Sequence, residues 1–502
     1  MPRLLAVDLG GTSVRAAVVD SDGSNVVASA RRRCEPVLDA PPLGRSYDAA
    51  AVWDQCCAAI REALYRAGGE PVAGVAATAQ RIGCVALDER DAVVYAGPNT
   101  DSRGVATGWA VTEAAGEELY ARTGRALAMM YAPSRLVWLR QERPDAFARV
   151  RRVLGLGDWL ALQLSGEAAT EPCTAADLLA LDVRGGGYWE QLWSRMGLDP
   201  SWLPPLRRAG ERLGAVTAAA AARTGLAEGT PVAVAAPDSA CAMLGAGAAR
   251  PGTTLVLAGS TMPVLAATEG VLADPDGRLW VGPHPVAGRG VLESNAGTAG
   301  YGWAWTAEQV VGTVSGLEGD AAYAQAEKLA ASAPPGSRDA LLLGAGAGVL
   351  DATHPATFLS HTGALLWPTP LLQPALGAAE VVRAALEAVG HAARANAEQV
   401  ETLAGGGTSR LAVAGGMARS RLFLRVVAAL MDRPVHTPRA DATMAGAVAC
   451  AGVACGVFAD LDAAADALGA VEVAAEPEAE LVSAYAEAHR RWRSLYGKLE
   501  SL

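Results

Sequence analysis

Asp8-Leu9-Gly10-Gly11-Thr12-Ser13 lies between two apolar runs, residues 4–9 and 14–19. Two glycines let backbone N–H groups come close to an anion, and the Thr and Ser hydroxyls add donors. The residues after the glycines constrain the fold. After a P-loop or a dinucleotide-binding glycine motif the chain enters a helix, whose N-terminus holds the phosphate. Here it enters Val14-Arg15-Ala16-Ala17-Val18-Val19, which reads as a strand. That argues against both of those folds and for a β-hairpin whose turn faces phosphate. Asp8, closing the first strand, is placed to orient a water on Mg²⁺. Taken alone, an ordinary hairpin turn fits these residues equally well.

The rest of the chain alternates in the same manner. Asp22-Gly23 reads as a second turn and Val26-Val27 opens a third strand, so the chain starts as an antiparallel meander. Residues 53–67 read as a helix with Ile60 and Leu64 on one face, 72–78 as a strand, and 110–164 as mainly helical. Strands are expected over 231–236, 253–257 and 411–414, and helices over 378–403, about 420–431 and the tail from about 476. A Gly- and Thr-rich turn after a short apolar strand recurs at Gly259-Ser260-Thr261, a faint internal repeat. The expectation is α/β, in two lobes of residues 1–245 and 246–502.

Bulk properties narrow the function classes. Hydrophobic residues are 51% of 502 and charged residues 19%, which supports large cores and excludes a largely disordered chain. The net charge is −11 with no dense Lys/Arg stretch, so a nucleic-acid footprint is not expected. An acidic protein still binds ATP through local amides, a few side chains and Mg²⁺. The eight cysteines form no C-x-x-C pair and have no histidine at zinc spacing, the usage of a reducing cytoplasm. The start of the chain reaches Asp8 too soon for a signal peptide, and no apolar run approaches the ~18 residues of a membrane span. A cytoplasmic protein without a membrane partner is expected.

Three further segments carry candidate chemistry. Asp238 follows an apolar strand and precedes Ser239-Ala240-Cys241-Ala242-Met243, where a carboxylate can take the proton of an attacking hydroxyl. Asp is also a favoured helix N-cap, and the two roles are compatible. Gly415-Gly416-Met417-Ala418 joins a strand to a helix, either as a wall for adenine or as an ordinary turn. Gln80-Arg81 and Asn99-Thr100-Asp101-Ser102-Arg103 sit just past predicted strands, with groups suited to hydroxyls or to a solvated, salt-linked loop.

In this order and spacing the segments resemble the FGGY carbohydrate kinases over residues 3–455. The resemblance implies two actin-like (ribonuclease H-type) lobes with a nucleotide and sugar cleft between them. It implies that Asp8, Gly10, Gly11, Thr12 and Ser13 face the phosphates and Mg²⁺, with Asp8 as the metal-side carboxylate. Gly259, Ser260 and Thr261 take the place of the second phosphate turn, and Gly415, Gly416 and Met417 that of the adenosine motif. Asp238 is implied as the catalytic base, with Gln80, Arg81 and Asp101 beside it on the acceptor. The sequence departs from the pattern at Ala236-Pro237, at Ser239, at Asn99-Thr100, at Met417-Ala418-Arg419 and at Asp441, where a glutamate is usual. Ile82 stands where glycerol kinases often carry Glu and xylulose kinases His, which argues against glycerol and weakens an assignment to xylulose. The expected reaction is ATP-dependent phosphorylation of a primary hydroxyl of a small sugar or polyol, foremost a pentulose such as xylulose or ribulose. Arg81, Gly83 and the Asn-x-Asp-x-Arg form also resemble autoinducer-2 kinases, which makes the linear autoinducer-2 precursor the alternative. A sugar- or nucleotide-binding protein with little kinase activity is the third reading. A homodimer is left open, and none of the six histidines is assigned a catalytic role.

Overall fold

A computed structural model describes residues 1–22, 26–40, 42–354, 363–367, 376–406 and 408–500. The expected Asp22-Gly23 turn and His361 fall, wholly or in part, outside them. Two compact units are present. The first comprises residues 1–249, 268–291 and 440–470, the second 250–267, 292–439 and 471–502. One cut at residue 245 therefore does not reproduce the partition, because two later segments return to the first unit.

The first unit is built on a six-stranded sheet. Its strands are β1 (Arg3–Leu9), β2 (Ser13–Asp20), β3 (Val26–Arg33), β4 (Gly74–Ala79), β5 (Arg212–Ala215) and β6 (Pro231–Ala233), in the order β5-β6-β4-β1-β2-β3. The expected meander is β1-β2-β3, paired antiparallel, while β1, β4 and β6 run parallel. β1 is buried on both faces, and this explains its unbroken apolar run. Leu5, Val7 and Leu9 join a core with α1 (Ala49–Arg66) and α2 (Leu156–Ser165). Leu4 and Ala6 join a second core with α4 (Asp238–Gly245) and α5 (Ala442–Ala454); α3 (Pro172–Asp177) precedes these two in the chain. Helix α1 starts where the Asp48 carboxylate accepts the Ala51 N–H at 3.1 Å, and Val52, Cys56, Ile60 and Ala63 give its buried stripe.

α4 and α5 lie in contact along small residues. A β-carbon on Gly446 would run into the carbonyl oxygen of Cys241, and one on Gly245 into that of Ala442. This close approach draws 440–470 back to the first unit and fixes where α4 begins, at Asp238. No periodicity in either segment announces a partner two hundred residues away.

The second unit repeats the opening motif. β7 (Thr253–Leu257) and β8 (Pro263–Glu269) form an antiparallel hairpin, and β9 (Arg410–Ala414) lies parallel to β7. β10 (Val435–Pro438) and β11 (Val471–Ala475) continue the sheet in the order β8-β7-β9-β10-β11. The helix Ala378–Leu403 has the predicted bounds. All eight cysteines are free thiols, seven of them buried, and no described helix is long and apolar enough to cross a membrane.

Gly446→Val is expected to cost about 1–3 kcal/mol or more of unfolding free energy, because backbone faces the new side chain and overpacking there has no relief. Urea denaturation checks this; a midpoint equal to that of the parent would show that α4 and α5 do not depend on the glycine.

Candidate active site

Parallel pairing brings three of the sequence motifs to one edge. Asp8 of β1 is paired with Thr78 of β4, and Val75 and Ala76 of β4 with Val232 and Ala233 of β6. The three strands end side by side, at Gly10–Thr12, at Gln80-Arg81 and at Ala236-Pro237-Asp238. In α/β sheets ligands sit outside these carboxyl ends. Thr78 Oγ1 donates to the Ala236 carbonyl at 2.7 Å and ties the second end to the third. A small cavity opens there, lined among others by Gln80, Arg81, Ile82, Thr174, Asp177 and Pro237.

The glycine turn is closed by Gly10 N–H donating to Ser13 C=O at 2.9 Å, and its tip, Gly11 and Thr12, is exposed. Nothing lies within 4 Å of where a Gly11 β-carbon would sit, so the approach is open to a phosphate. Ser13 is buried, and its hydroxyl accepts from Arg31 Nε at 2.9 Å, so it braces the hairpin. The hairpin register sets Arg15 directly opposite Asp8. Arg15 bridges two carboxylates, Asp8 Oδ2 and Asp441 Oδ2, each at 2.6 Å. Asp441 also caps α5 by accepting the Met444 N–H at 3.1 Å. Burial pushes the Asp8 carboxyl above its ordinary range, against the pull of Arg15.

The other oxygen of Asp8, Oδ1, is buried and has no hydrogen-bond partner. An orphaned carboxylate oxygen at this edge fits a donor carried by a ligand, such as a water on Mg²⁺. Among the described residues no group of three acidic, His or Cys side chains is gathered for direct ligation. Mg²⁺ keeps most of its waters and takes one or two carboxylates, a need that the free oxygen of Asp8 could meet.

Asp238 is the first helical residue of α4; Pro237 occupies the cap position. Its Oδ1 accepts the Ser239 N–H at 2.6 Å, which aims the carboxylate from the helix start while part of its surface stays exposed. Burial, joined by the negative charge of Asp8, pushes its pKa up to about 7, with Arg81 pulling the other way. A carboxylate poised near neutral pH has the basicity of a general base.

The remaining acceptor-side candidates separate. Arg81 lines the cavity and lies over the Trp280 ring at 5.5 Å. Gln80 borders it too, but its amide is engaged by the protein: Nε2 donates to Tyr47 Oη at 2.6 Å and Oε1 accepts the Asn99 N–H at 3.1 Å. Gln80 thus fastens the Asn99–Arg103 loop to the strand ends. Asp101 is a correction. It is neither in a solvated loop nor open to an acceptor, since its side chain is 0% exposed. Its oxygens take Arg103 Nε at 2.7 and 2.9 Å, the Arg45 N–H at 2.9 Å and the Tyr95 hydroxyl. Burying an ion pair requires that every lone pair find a donor, and the loop closes around Asp101 to supply them.

In the second unit, the other two motifs also meet at adjacent strand ends. Gly259-Ser260-Thr261 follows β7 and Gly415-Gly416-Met417 follows β9. Met417 N–H donates to the Ala258 carbonyl at 3.0 Å, and Gly415 has φ +97°, where a β-carbon would crowd that same carbonyl. Glycine is therefore required at 415 by both conformation and space. Ser260 and Thr261 are exposed, while Met417 is buried.

Residues 3–245 match the family model for the N-terminal domain of the FGGY family of carbohydrate kinases, and residues 285–455 the model for its C-terminal domain. The chain belongs to this family. An autoinducer-2 kinase of Enterobacter sp. (strain 638) is 29% identical to this kinase, over 99% of this chain and 94% of that protein. One of Escherichia coli (strain K12) is 28% identical over 98% and 94%. The crystal structure of xylulose kinase from Rhodospirillum rubrum superposes with a TM-score of 0.82 at 26% identity, covering 99% of each chain. The fold is accordingly the actin-like, two-domain α/β fold of sugar kinases, and the enzyme is an ATP-using kinase of small carbohydrates.

Sequence reasoning passed over Arg15, Asp177, Arg125 and Trp280, and noted Asp441 only as a departure. Arg15 had a signal, since a turn at Gly10–Thr12 sets residue 15 opposite residue 8. The others come from distant segments. Asp101→Ala is expected to lower unfolding free energy by about 3–5 kcal/mol, because Arg103 Nε, the Arg45 N–H and the Tyr95 hydroxyl all lose their acceptor in a buried place, with Asp39 remaining to Arg103 Nη2. Denaturant titration checks it; unchanged stability with a raised acceptor KM would return Asp101 to the acceptor.

Proposed function

We propose that this kinase transfers the γ-phosphoryl of ATP to a primary hydroxyl of a neutral five-carbon ketose of the xylulose or ribulose type. The observation that carries the reading is Asp238, basic near neutral pH under the opposing influence of Arg81, next in the chain to Pro237, which lines a small cavity with Arg81. Ile82 in the cavity wall offers no polar partner, which speaks against glycerol and also weakens xylulose relative to other pentuloses. Its φ of +67° is a strained state for a β-branched residue and turns the wall sharply after Arg81.

Phosphoryl transfer asks the protein mainly for positioning and charge stabilisation. Asp238 aligns the acceptor hydroxyl and takes its proton as the new bond to phosphorus forms. The turn at Gly11-Thr12 presents backbone amides and the Thr12 hydroxyl to phosphate, with a second turn, Gly259–Thr261, in the same role and Gly415–Met417 as the adenosine motif. Mg²⁺ would offset phosphate charge; Asp8 is the residue that would hold it, through the Oδ1 left without a partner, while Arg15 fixes the other oxygen. Phosphorylation of the linear autoinducer-2 precursor is the second reading, favoured by the autoinducer-2 kinases among its relatives and by Asn99 and Arg81.

ADP release with Mg²⁺-ATP is to be measured across D- and L-xylulose, D- and L-ribulose, glycerol, erythritol and the linear autoinducer-2 precursor. Turnover of one pentulose that falls by at least about a hundredfold in Asp238→Asn is expected. Turnover confined to the autoinducer-2 precursor would favour the second reading, and an undiminished Asp238→Asn would remove this base. With the best acceptor, kcat/KM is expected to fall roughly tenfold per unit as pH drops below about 7, since protonated Asp238 cannot accept a proton. A profile flat from about pH 5.5 to 8 would assign the proton elsewhere.

A further inference from the structure

The cavity lined by Arg81 and Pro237 has a carboxylate in its wall, Asp177, to which phosphoryl transfer assigns no part. Asp177 ends α3, a short helix started by Glu171, whose carboxylate accepts the Cys173 N–H at 2.7 Å and the Thr174 N–H at 3.2 Å. Its side chain is only 8% exposed, yet it forms part of the wall of the cavity that Pro237 and Arg81 also line. A buried carboxylate is costly unless held by donors. One donor is Arg125, whose Nη2 lies 3.2 Å from Asp177 Oδ1. Arg125 is itself fixed, because Nη1 donates to the Val281 carbonyl at 2.7 Å and its guanidinium lies 5.7 Å from the Trp280 ring centre. Arg81 approaches the same ring at 5.5 Å. Trp280 thus lies beside both Arg81 and the arginine that holds Asp177.

The backbone singles out the same two residues. Arg81 is followed by Ile82 at φ +67°, and the segment after Asp177 reaches Leu179 at φ +55°. Neither residue is a glycine, so each position is strained. Both side chains are anchored in one apolar cluster, with Val111, Tyr131 and Trp189. Two strained positions, anchored in common, hold the segments that bear Arg81 and Asp177 against the cavity. A carboxylate has about four lone-pair sites, so Asp177 can accept from Arg125 and from a hydroxyl of a bound molecule at once.

We propose that Asp177 is a specificity-determining residue for the acceptor: its carboxylate accepts a hydrogen bond from a hydroxyl on the carbon chain away from the phosphorylated end. The site so built selects neutral, polyhydroxylated acceptors over those lacking that hydroxyl. This rests on the kinase reading of Asp238 and adds to it the residue that reads the rest of the substrate.

A cycle between enzyme and substrate tests it. Initial rates of ADP release are compared for the parent, Asp177→Ala and Asp177→Asn, on the best pentulose and on each of its monodeoxy analogues. Loss of a hydroxyl bonded to a charged group is expected to lower kcat/KM about ten- to a hundredfold in Asp177→Ala, through the acceptor KM, with the ATP KM within about twofold. One monodeoxy analogue is expected to be equally poor for parent and variant. Asp177→Asn keeps the size and an acceptor oxygen, and carries the same comparison should Asp177→Ala fail to fold. An equal loss on every acceptor, or a loss confined to kcat, would overturn the proposal. If the parent turns over the linear autoinducer-2 precursor and no pentulose, the pentulose reading fails by itself. The Asp177 cycle then runs on that precursor and its monodeoxy analogues, with the same two outcomes.

Discussion

Three parallel strands in register are the constraint on which the first unit depends. β1, β4 and β6 are neighbours, and their pairing fixes to within one residue where each ends. A slip of a single residue would exchange the two faces of β1 and take Leu5, Val7 and Leu9 out of their core. The hydrophobic effect therefore enforces the register, and the register places Asp8, Gln80-Arg81 and Asp238 at one edge. The geometry of this edge is a consequence of how apolar side chains are sorted between two cores.

Charge is then distributed so that a few carboxylates stay reactive while others are spent. Asp101 is closed off by Arg103, Arg45 and Tyr95, and its use is structural. Asp8 is half spent, with one oxygen held by Arg15 and one left without a donor. Asp238 holds a backbone N–H and keeps its basicity near neutral pH because burial and Asp8 oppose its charge more than Arg81 supports it. The same residue type serves three purposes, decided by what lies within hydrogen-bond reach.

The recurrence of strand, glycine turn and strand in both units has a physical basis in the same arrangement. In each, a hairpin turn lies at the end of a strand whose parallel neighbour ends in a second loop, Gly10–Ser13 with Gln80-Arg81 in one and Gly259–Thr261 with Gly415–Met417 in the other. Met417 and Gly415 meet the Ala258 carbonyl, just as Gln80 Nε2 meets that of Gly10 at 3.3 Å. The repeat legible in composition is thus one of backbone placement, with glycine where two loops must touch.

The α/β class, the opening meander, the helix Ala378–Leu403 and the positions of Asp8 and Asp238 were determined by the sequence itself. Local signals carry them: a run of apolar residues, a glycine pair followed by a strand, a helical period. What the tertiary structure decided is every relation across long separations. That 440–470 belongs with the first unit depends on Gly446 meeting the backbone at Cys241. That Asp101 is enclosed depends on Arg45 and Tyr95, and that Asp177 faces the cavity depends on Arg125 and Trp280. Such contacts are set by packing and by the need to satisfy buried charge, and neither leaves a periodic trace in the chain.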